Sequence, residues 1–388
     1  MAVINRIAGF AEELRGWRHE LHRMPELDFD LFETAAFVAA RLREIGVDEI
    51  HEGIAKTGIV ALIHGRAPGP VIGLRADMDA LPIAEATGAD YASRNSGRMH
   101  ACGHDGHTAI LLGAARYLAE TRNFAGSVAL IFQPSEEMNG GGRMMCEEGM
   151  MARFGIARVF GLHNMPNAPL GQIATRPGPL MAATDEFEIV VHGRGGHAAF
   201  PHDCVDPVVA AMSIGQALQT LTARWVDPLK ALVVGVSVIR AGEARNVIPD
   251  TALLGGTVRC FDESLREPVA ARIRALAEGI AAAHGARAEV RHFFGYPVTA
   301  NDPAEADFAV AVAREVVGAD LVAADRPPEM GAEDFGYMLR ERPGAYVFLG
   351  TGPGAGLHHP AFDYNDEATP IGASFFAKLV ETAQPLGR

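Results

Sequence analysis

Four short apolar runs, each followed by acidic or imidazole side chains, constrain this chain more than any other feature of its sequence. Val71-Ile72-Gly73-Leu74 leads into Arg75-Ala76-Asp77-Met78-Asp79, and Ser127–Phe132 leads into Gln133-Pro134-Ser135-Glu136-Glu137. Ala157–Leu162 delivers His163-Asn164. Ala345–Leu349 delivers His358-His359-Pro360 after a Gly-rich loop. Apolar runs this short, bounded by Gly and Pro, read as strands buried on both faces. In open α/β sheets, sites form outside the carboxyl ends of the strands, where several loops converge. Four strands that each place such groups at one edge therefore predict an α/β fold with its site there.

A second feature lies between the first two runs. Met99–Ala109 holds three histidines, Cys102 and Asp105. Soft, nitrogen-rich and anionic groups crowded into one loop point to a transition-metal site. The stretch from Ala109 to Leu118 has the pattern of a packed helix, and Thr108 is its expected N-cap.

At 388 residues the chain is long enough for two domains. The spacing of apolar residues predicts one amphipathic helix over 4–23, stopped by Pro25, and a second over 32–45. Between about 182 and 293 the pattern changes to strand, helix, two strands, helix and strand, which is the order of the ferredoxin-like split motif. The expected organisation is a discontinuous catalytic domain, 1–181 and 294–388, with an α+β domain inserted at 182–293. Pro/Gly-rich joints at 176–179 and 295–297 are the expected hinges.

Composition narrows the function classes. A formal net charge of −14 disfavours nucleic acid as a partner, and no window approaches 18 uninterrupted apolar residues. Cysteines stand at 102, 146, 204 and 260 with no close pair, which fits a reducing compartment and a cytoplasmic protein. The N-terminal residues lack the pattern of a secretion signal. No G-x-S-x-G elbow and no phosphate-binding G-x-x-x-x-G-K-[ST] loop occurs.

The strand-end candidates are Cys102, His104, Glu136, Glu137, His163 and His358. Five protein ligands and a shared water suit two divalent ions about 3.5–4 Å apart. Adjacent Glu136 and Glu137 cannot both point the same way from extended backbone, so one binds metal and the other faces the water as general base. The reaction class is metal-assisted hydrolysis of an amide. Spacing alone does not choose between His358 and His359.

These motifs resemble those of the hippurate hydrolase/aminoacylase amidohydrolases, a branch of the dimetal aminoacylase–carboxypeptidase peptidases. The resemblance rests on Met99–Ala109, Gln133–Glu137, His163-Asn164, Gly195–His202, Arg245–Asp250 and Leu357–Pro360, and runs from about residue 15 to 380. It implies a zinc-peptidase-like catalytic domain, a mixed sheet flanked by helices, and an inserted lid or dimerisation domain. It implies metal ligands Cys102, His104, Glu137, His163 and His358, with Glu136 as general base. Substrates would be N-acyl amino acids, such as N-acetyl or N-benzoyl compounds. His197 would contact substrate or oxyanion, either within its own chain or across a homo-oligomer. Asn246 and Arg259 could bind a substrate carboxylate.

One departure from the wider superfamily is Asp77-Met78-Asp79, where many members carry His-x-Asp. Asp77 cannot replace an imidazole ligand in kind, so Cys102 enters the set, and Asp79 is a candidate for orienting a ligand. Zn²⁺, Mn²⁺, Co²⁺ and Ni²⁺ all tolerate this donor mix. The competing readings are a dipeptidase or carboxypeptidase, and a metal-dependent binding protein. Glu136 argues against the latter, since a metal holder needs no second Glu facing the water.

Overall fold

A computed structural model describes residues 3–387; Met1, Ala2 and Arg388 lie outside it. The described residues form two compact units, residues 3–180, 300–327 and 334–387, and residues 181–299 and 328–333.

The first unit is built on an eight-stranded mixed sheet. Its strand order is Glu49–Ile54, Gly58–His64, Ala125–Gln133, Ala67–Asp77, Ile156–Pro166, Gly344–Gly352, Ile173–Ala174 and Val322–Ala323. Four central neighbours run parallel, with Asp77 beside Gln133 and His163 beside Phe348. All nine residues of the Gly344–Gly352 strand are buried, as a strand covered on both faces requires. Ile72, Leu74, Leu130, Phe132, Phe160 and Val347 join Ile110, Leu111 and Leu112 of the His104–Thr121 helix in one core. That helix packs against the helices Ala11–Arg23, Phe32–Ile45 and Thr369–Ala383. Burying each Leu, Ile or Phe stabilises the unit by about 1.5–3 kcal/mol, which makes the sheet edge a firm platform.

Two local expectations change, and one strand has no counterpart among them. The single helix expected over 4–23 is two, Asn5–Ala8 and Ala11–Arg23, separated at Gly9-Phe10. Glu49–Ile54 is a strand at the sheet edge whose exposed and half-buried residues gave no apolar run to read. The helix after the cysteine loop starts at His104, with Gly103 as its cap, so Thr108 lies inside it.

The second unit has a four-stranded antiparallel sheet in the order Leu232–Ala241, Thr251–Cys260, Ala183–His192, Arg287–Phe294. Helices Pro207–Leu218 and Arg266–Ala283 pack on each other and on the sheet. The chain order is β-α-β-β-α-β, the order of the split motif, and Phe187, Ile189 and Val191, alternating along Ala183–His192, are all buried. A two-residue ribbon pairs Gly196-His197 with Val247-Ile248.

Among the described residues, no helix is long and apolar enough to cross a membrane.

Candidate metal centre

The parallel strands of the first unit bring the candidates to one sheet edge. Asp77 ends its strand and Asp79 follows; Glu136 and Glu137 follow Gln133; His163 lies near the end of its strand; His358 follows Gly352. Ser135, just before the glutamates, has φ 53°, and His358 has φ 62°. Non-glycine residues in the left-handed region cost roughly 1–2 kcal/mol each, and such strain collects at functional sites. At Ser135 it turns the chain out of extended backbone, and the turn is held by Ser135 Oγ on Asp28 and by Asn139 N–H on Ser135 Oγ (3.1 Å). At His358 the backbone N–H donates to the Ala101 carbonyl (2.7 Å), tying this loop to the cysteine loop.

Gly103 delivers Cys102 and His104. Its φ of 89° is the left-handed turn that starts the helix, and a Cβ there would meet the Asn164 amide nitrogen at 2.4 Å. The helix therefore begins at Gly103 rather than at Thr108, and the Thr108 hydroxyl instead donates to the Asp77 carbonyl (3.1 Å). His104 and His107, three apart in the first turn, present their rings to the same side with centroids 5.4 Å apart.

Hydrogen bonds fix which nitrogens point inward. His104 Nδ1 lies 3.2 Å from Asp79 Oδ1, and the other Asp79 oxygen accepts from the Glu137 backbone N–H (2.9 Å). His163 Nδ1 lies 2.7 Å from the Asn164 carbonyl, which leaves Nε2 3.3 Å from Cys102 Sγ. His358 Nε2 is 3.4 Å from Glu137 Oε1, close enough for attraction but not a formed hydrogen bond. His359, the rival of His358, accepts the Ala361 N–H on Nδ1 (3.0 Å) and joins none of the ligand groups.

The charges converge on one region. Burial would depress His104, yet Asp77, Asp79 and Glu137 hold it up at about 10. Burial pushes Asp79 and the Cys102 thiol up. Burial drives His163 down to about 3, so its ring is neutral. Carboxylates that favour a positive charge on a buried imidazole would also favour a divalent cation bound to that imidazole in place of its proton.

The donor set fits such cations. His104 Nε2 and Glu137 Oε1 are buried without a hydrogen-bond partner, a costly state unless something else satisfies them. Cys102 belongs to two ligand groups, one with His104 and His163 and one with Glu137 and His358; within each, the ligand atoms lie within 4.8 Å of one another. Glu136 forms a further such group with His104 and Glu137.

The second unit holds His197, Asn246 and Arg259. His197 and Asn246 share the small ribbon, where the Asn246 carbonyl accepts the Ala198 N–H (3.0 Å). The Ala199 N–H donates to His197 Nδ1 (3.1 Å), so a neutral ring carries its proton on the exposed Nε2. Arg259 lies toward the other end of the Thr251–Cys260 strand, and its guanidinium donates to the Met330 carbonyl (3.1 Å). Eight residue steps separate Thr251, at the ribbon end, from Arg259, roughly 26 Å of strand. The unit therefore groups His197 with Asn246 and not with Arg259.

The sequence alone gives Asn164 no role and sets Asp77 aside as a ligand, while His107, near the helix start, reads as a structural or ligand-orienting imidazole. Asp77 takes Arg75 on one oxygen (2.7 Å) and His107 on the other (2.6 Å). The only sequence signal was position, with Asp77 and Asn164 at the ends of adjacent strands.

Residues 73–382 match the model of Peptidase family M20/M25/M40. The chain belongs to this family. It is 44% identical over 376 residues to the N-acetyl-L-cysteine deacetylase of Bacillus subtilis, covering 97% of this chain and 88% of the relative. It is 40% identical over 379 residues to the hippurate hydrolase of Campylobacter jejuni, covering 98% of each. A crystal structure of a dinuclear metal-binding M20 peptidase from Bacillus subtilis superposes with a TM-score of 0.85 at 39% identity, over 97% of this chain and 99% of that one.

Proposed function

We propose that this protein is a metal-dependent amidohydrolase that cleaves the amide bond of N-acyl amino acids. One observation carries the reading: two ligand groups that share Cys102, with Glu136 beside them, at a single sheet edge. The deacetylase and hippurate hydrolase relatives support it. Cys102, His104 and His163 would hold one divalent cation, and Cys102, Glu137 and His358 the other. Manganese, zinc, cobalt and nickel all suit these donors. When bound, two such cations polarise the amide carbonyl and make an attacking water more acidic.

The chain's own groups do the rest. Glu136 accepts the proton of the attacking water and passes it to the leaving amine nitrogen. Asp79 holds His104 and the Glu137 backbone in register. His197, with its proton on Nε2, donates to a substrate oxygen, and Asn246 adds an amide beside it. Arg259 is the remaining candidate for the substrate carboxylate. A small N-acyl amino acid cannot bridge roughly 26 Å of strand, so His197 and Arg259 of one chain would serve different substrate molecules. This favours a homodimer in which each site borrows His197 from the partner. The Leu232–Ala241 strand has a neighbour on one side only and exposes Val233 and Ile239, while the adjoining helix exposes Val209 and Met212. A second copy is the fitting occupant of that edge. Four free cysteines support a cytoplasmic setting.

The test is a panel of N-acyl amino acids and their carboxamides, assayed with metal-loaded and chelator-treated protein. Release of free amino acid that chelation abolishes and added Mn²⁺ or Zn²⁺ restores is expected. The carboxamides should lose roughly tenfold or more in kcat/KM, about 1.4 kcal/mol, because charge-assisted bonds to the carboxylate are gone. Full activity in a metal-free sample would refute the metal assignment. Equal rates on acid and carboxamide would point to a general amidase. Mixing a His197→Ala chain with a Glu136→Gln chain checks sharing: restored activity requires a site built from two subunits.

A further inference from the structure

His107 is an imidazole placed among metal-ligand candidates, and its geometry marks it as something else. Asp77, His104 and His107 form one of the groups whose atoms are close enough to hold an ion. Both nitrogens of His107 are already engaged, however. Nε2 accepts the Asn164 backbone N–H (2.9 Å), and a backbone N–H can only donate, so the ring proton sits on Nδ1. Nδ1 then donates to Asp77 Oδ1 at 2.6 Å. The other Asp77 oxygen accepts from Arg75, whose guanidinium also donates to Gln133 Oε1 (2.9 Å) and Asp334 Oδ1 (3.0 Å). A cation placed against Asp77 would face a buried guanidinium.

Asn164 is the other half of the arrangement. Its side-chain amide donates to the Cys102 carbonyl (2.5 Å) and lies 3.0 Å from His107 Nε2. Its own carbonyl accepts from His163 Nδ1 (2.7 Å). One residue thus holds the backbone of Cys102 and the ring of His163, and it is itself held by His107. Gly103 leaves the space that the Asn164 amide fills. Cys102 and His163 lie 61 residues apart in sequence, one at a helix start and the other at a strand end, and Asn164 bonds to both.

We propose that His107 and Asn164 are positioning residues, a clamp anchored on Asp77 that sets the separation of Cys102 Sγ and His163 Nε2, and that His107 binds no metal. The proposal rests on the reading of Cys102 and His163 as ligands. It assigns the Arg75–Asp77–His107–Asn164 chain to holding geometry, and it leaves His104 as the metal-facing imidazole of the helix's first turn.

The experiment loads the full-length protein with Co²⁺ and follows the thiolate-to-cobalt charge-transfer absorption, together with cobalt affinity by equilibrium dialysis. Asn164→Ala and His107→Gln should keep the native circular dichroism, bind one cobalt about 10–100-fold more weakly, and alter the charge-transfer band. The double variant should cost less than the sum of the two, because both act through one arrangement. Folded variants with unchanged affinity and an unchanged band would overturn the clamp while leaving the metal reading intact. A wild-type protein that binds cobalt with no thiolate band would instead remove Cys102 as a ligand, and the clamp with it. If the variants do not fold, cadmium-loaded wild type decides by nitrogen–cadmium coupling. Coupling at His104 and His163, with His107 uncoupled and protonated on Nδ1, is expected; coupling at His107 would overturn the proposal.

Discussion

Asp79 holds His104 and Glu137 at once, one carboxylate oxygen on the imidazole Nδ1 (3.2 Å) and the other on the Glu137 backbone N–H (2.9 Å). Two candidate ligands from a helix and a strand end are thereby fixed to each other by one buried group. Asp79→Asn keeps the shape but turns an N–H₂ toward one of two donors. Metal affinity or turnover should fall by about 10–100-fold. Metal titration followed by steady-state kinetics measures it, and wild-type values in both would deny Asp79 this role.

Glu136 and Glu137 should separate cleanly. Glu136→Gln is expected to retain metal and fold while losing on the order of 10²–10⁴ in turnover. Glu137→Gln should weaken metal binding first. Metal content by mass spectrometry, measured beside kcat, distinguishes them; the opposite pattern would exchange their roles.

Gly103→Ala should be severe for a small change. The left-handed conformation alone costs a non-glycine residue roughly 1–2 kcal/mol. The added methyl would also meet the Asn164 amide at 2.4 Å. A lower melting temperature and weaker metal binding are expected together. Loss of stability with metal binding intact would show that Asn164 can move without disturbing the site.

His22 gives a pH dependence away from the ligands. It is buried, with Nδ1 2.8 Å from Asp105 Oδ2 and Nε2 3.3 Å from Glu85 Oε1. The Arg18 guanidinium, the His100 ring and the edge of Tyr91 also face it. Burial works to lower its pKa, but Asp105 and then Glu85 raise it from 6.5 to about 9. A raised folded-state value stabilises fully below the unfolded value and is lost as pH rises through the folded one. Stability of the metal-free protein should therefore fall between about pH 6.5 and 9, by up to about 3 kcal/mol. Urea unfolding across that window, compared with His22→Gln, checks it; an equal slope in both proteins would dismiss the contribution.

Much of this architecture is legible in the sequence, for a physical reason. Strands buried on both faces show as uninterrupted apolar runs, so the polar residues that end them stand out, and Glu136, His163 and His358 are visible as strand-end groups. What stays hidden depends on backbone that composition does not report. Thr108 looks like a cap because threonine usually is one, while Gly103 takes that place through its left-handed φ. Asn164 looks like an ordinary neighbour of His163, because its partners Cys102 and His107 lie 62 and 57 residues away in sequence. The Glu49–Ile54 strand exposes too much of itself to leave an apolar signature.

The Gly344–Gly352 strand occupies an interior place in the sheet, between Ile156–Pro166 and Ile173–Ala174. It is also made long after its neighbour, so a nascent chain carries one edge of Ile156–Pro166 unpaired until Gly344–Gly352 has emerged. From Pro166 to Gly352 is 186 residues, or roughly 10–40 s of translation at about 5–20 residues per second. His358 emerges later still. The Cys102, His104 and His163 group is complete once His163 has emerged, whereas the Cys102, Glu137 and His358 group waits for His358, so the two candidate cation positions would be finished at different stages of synthesis.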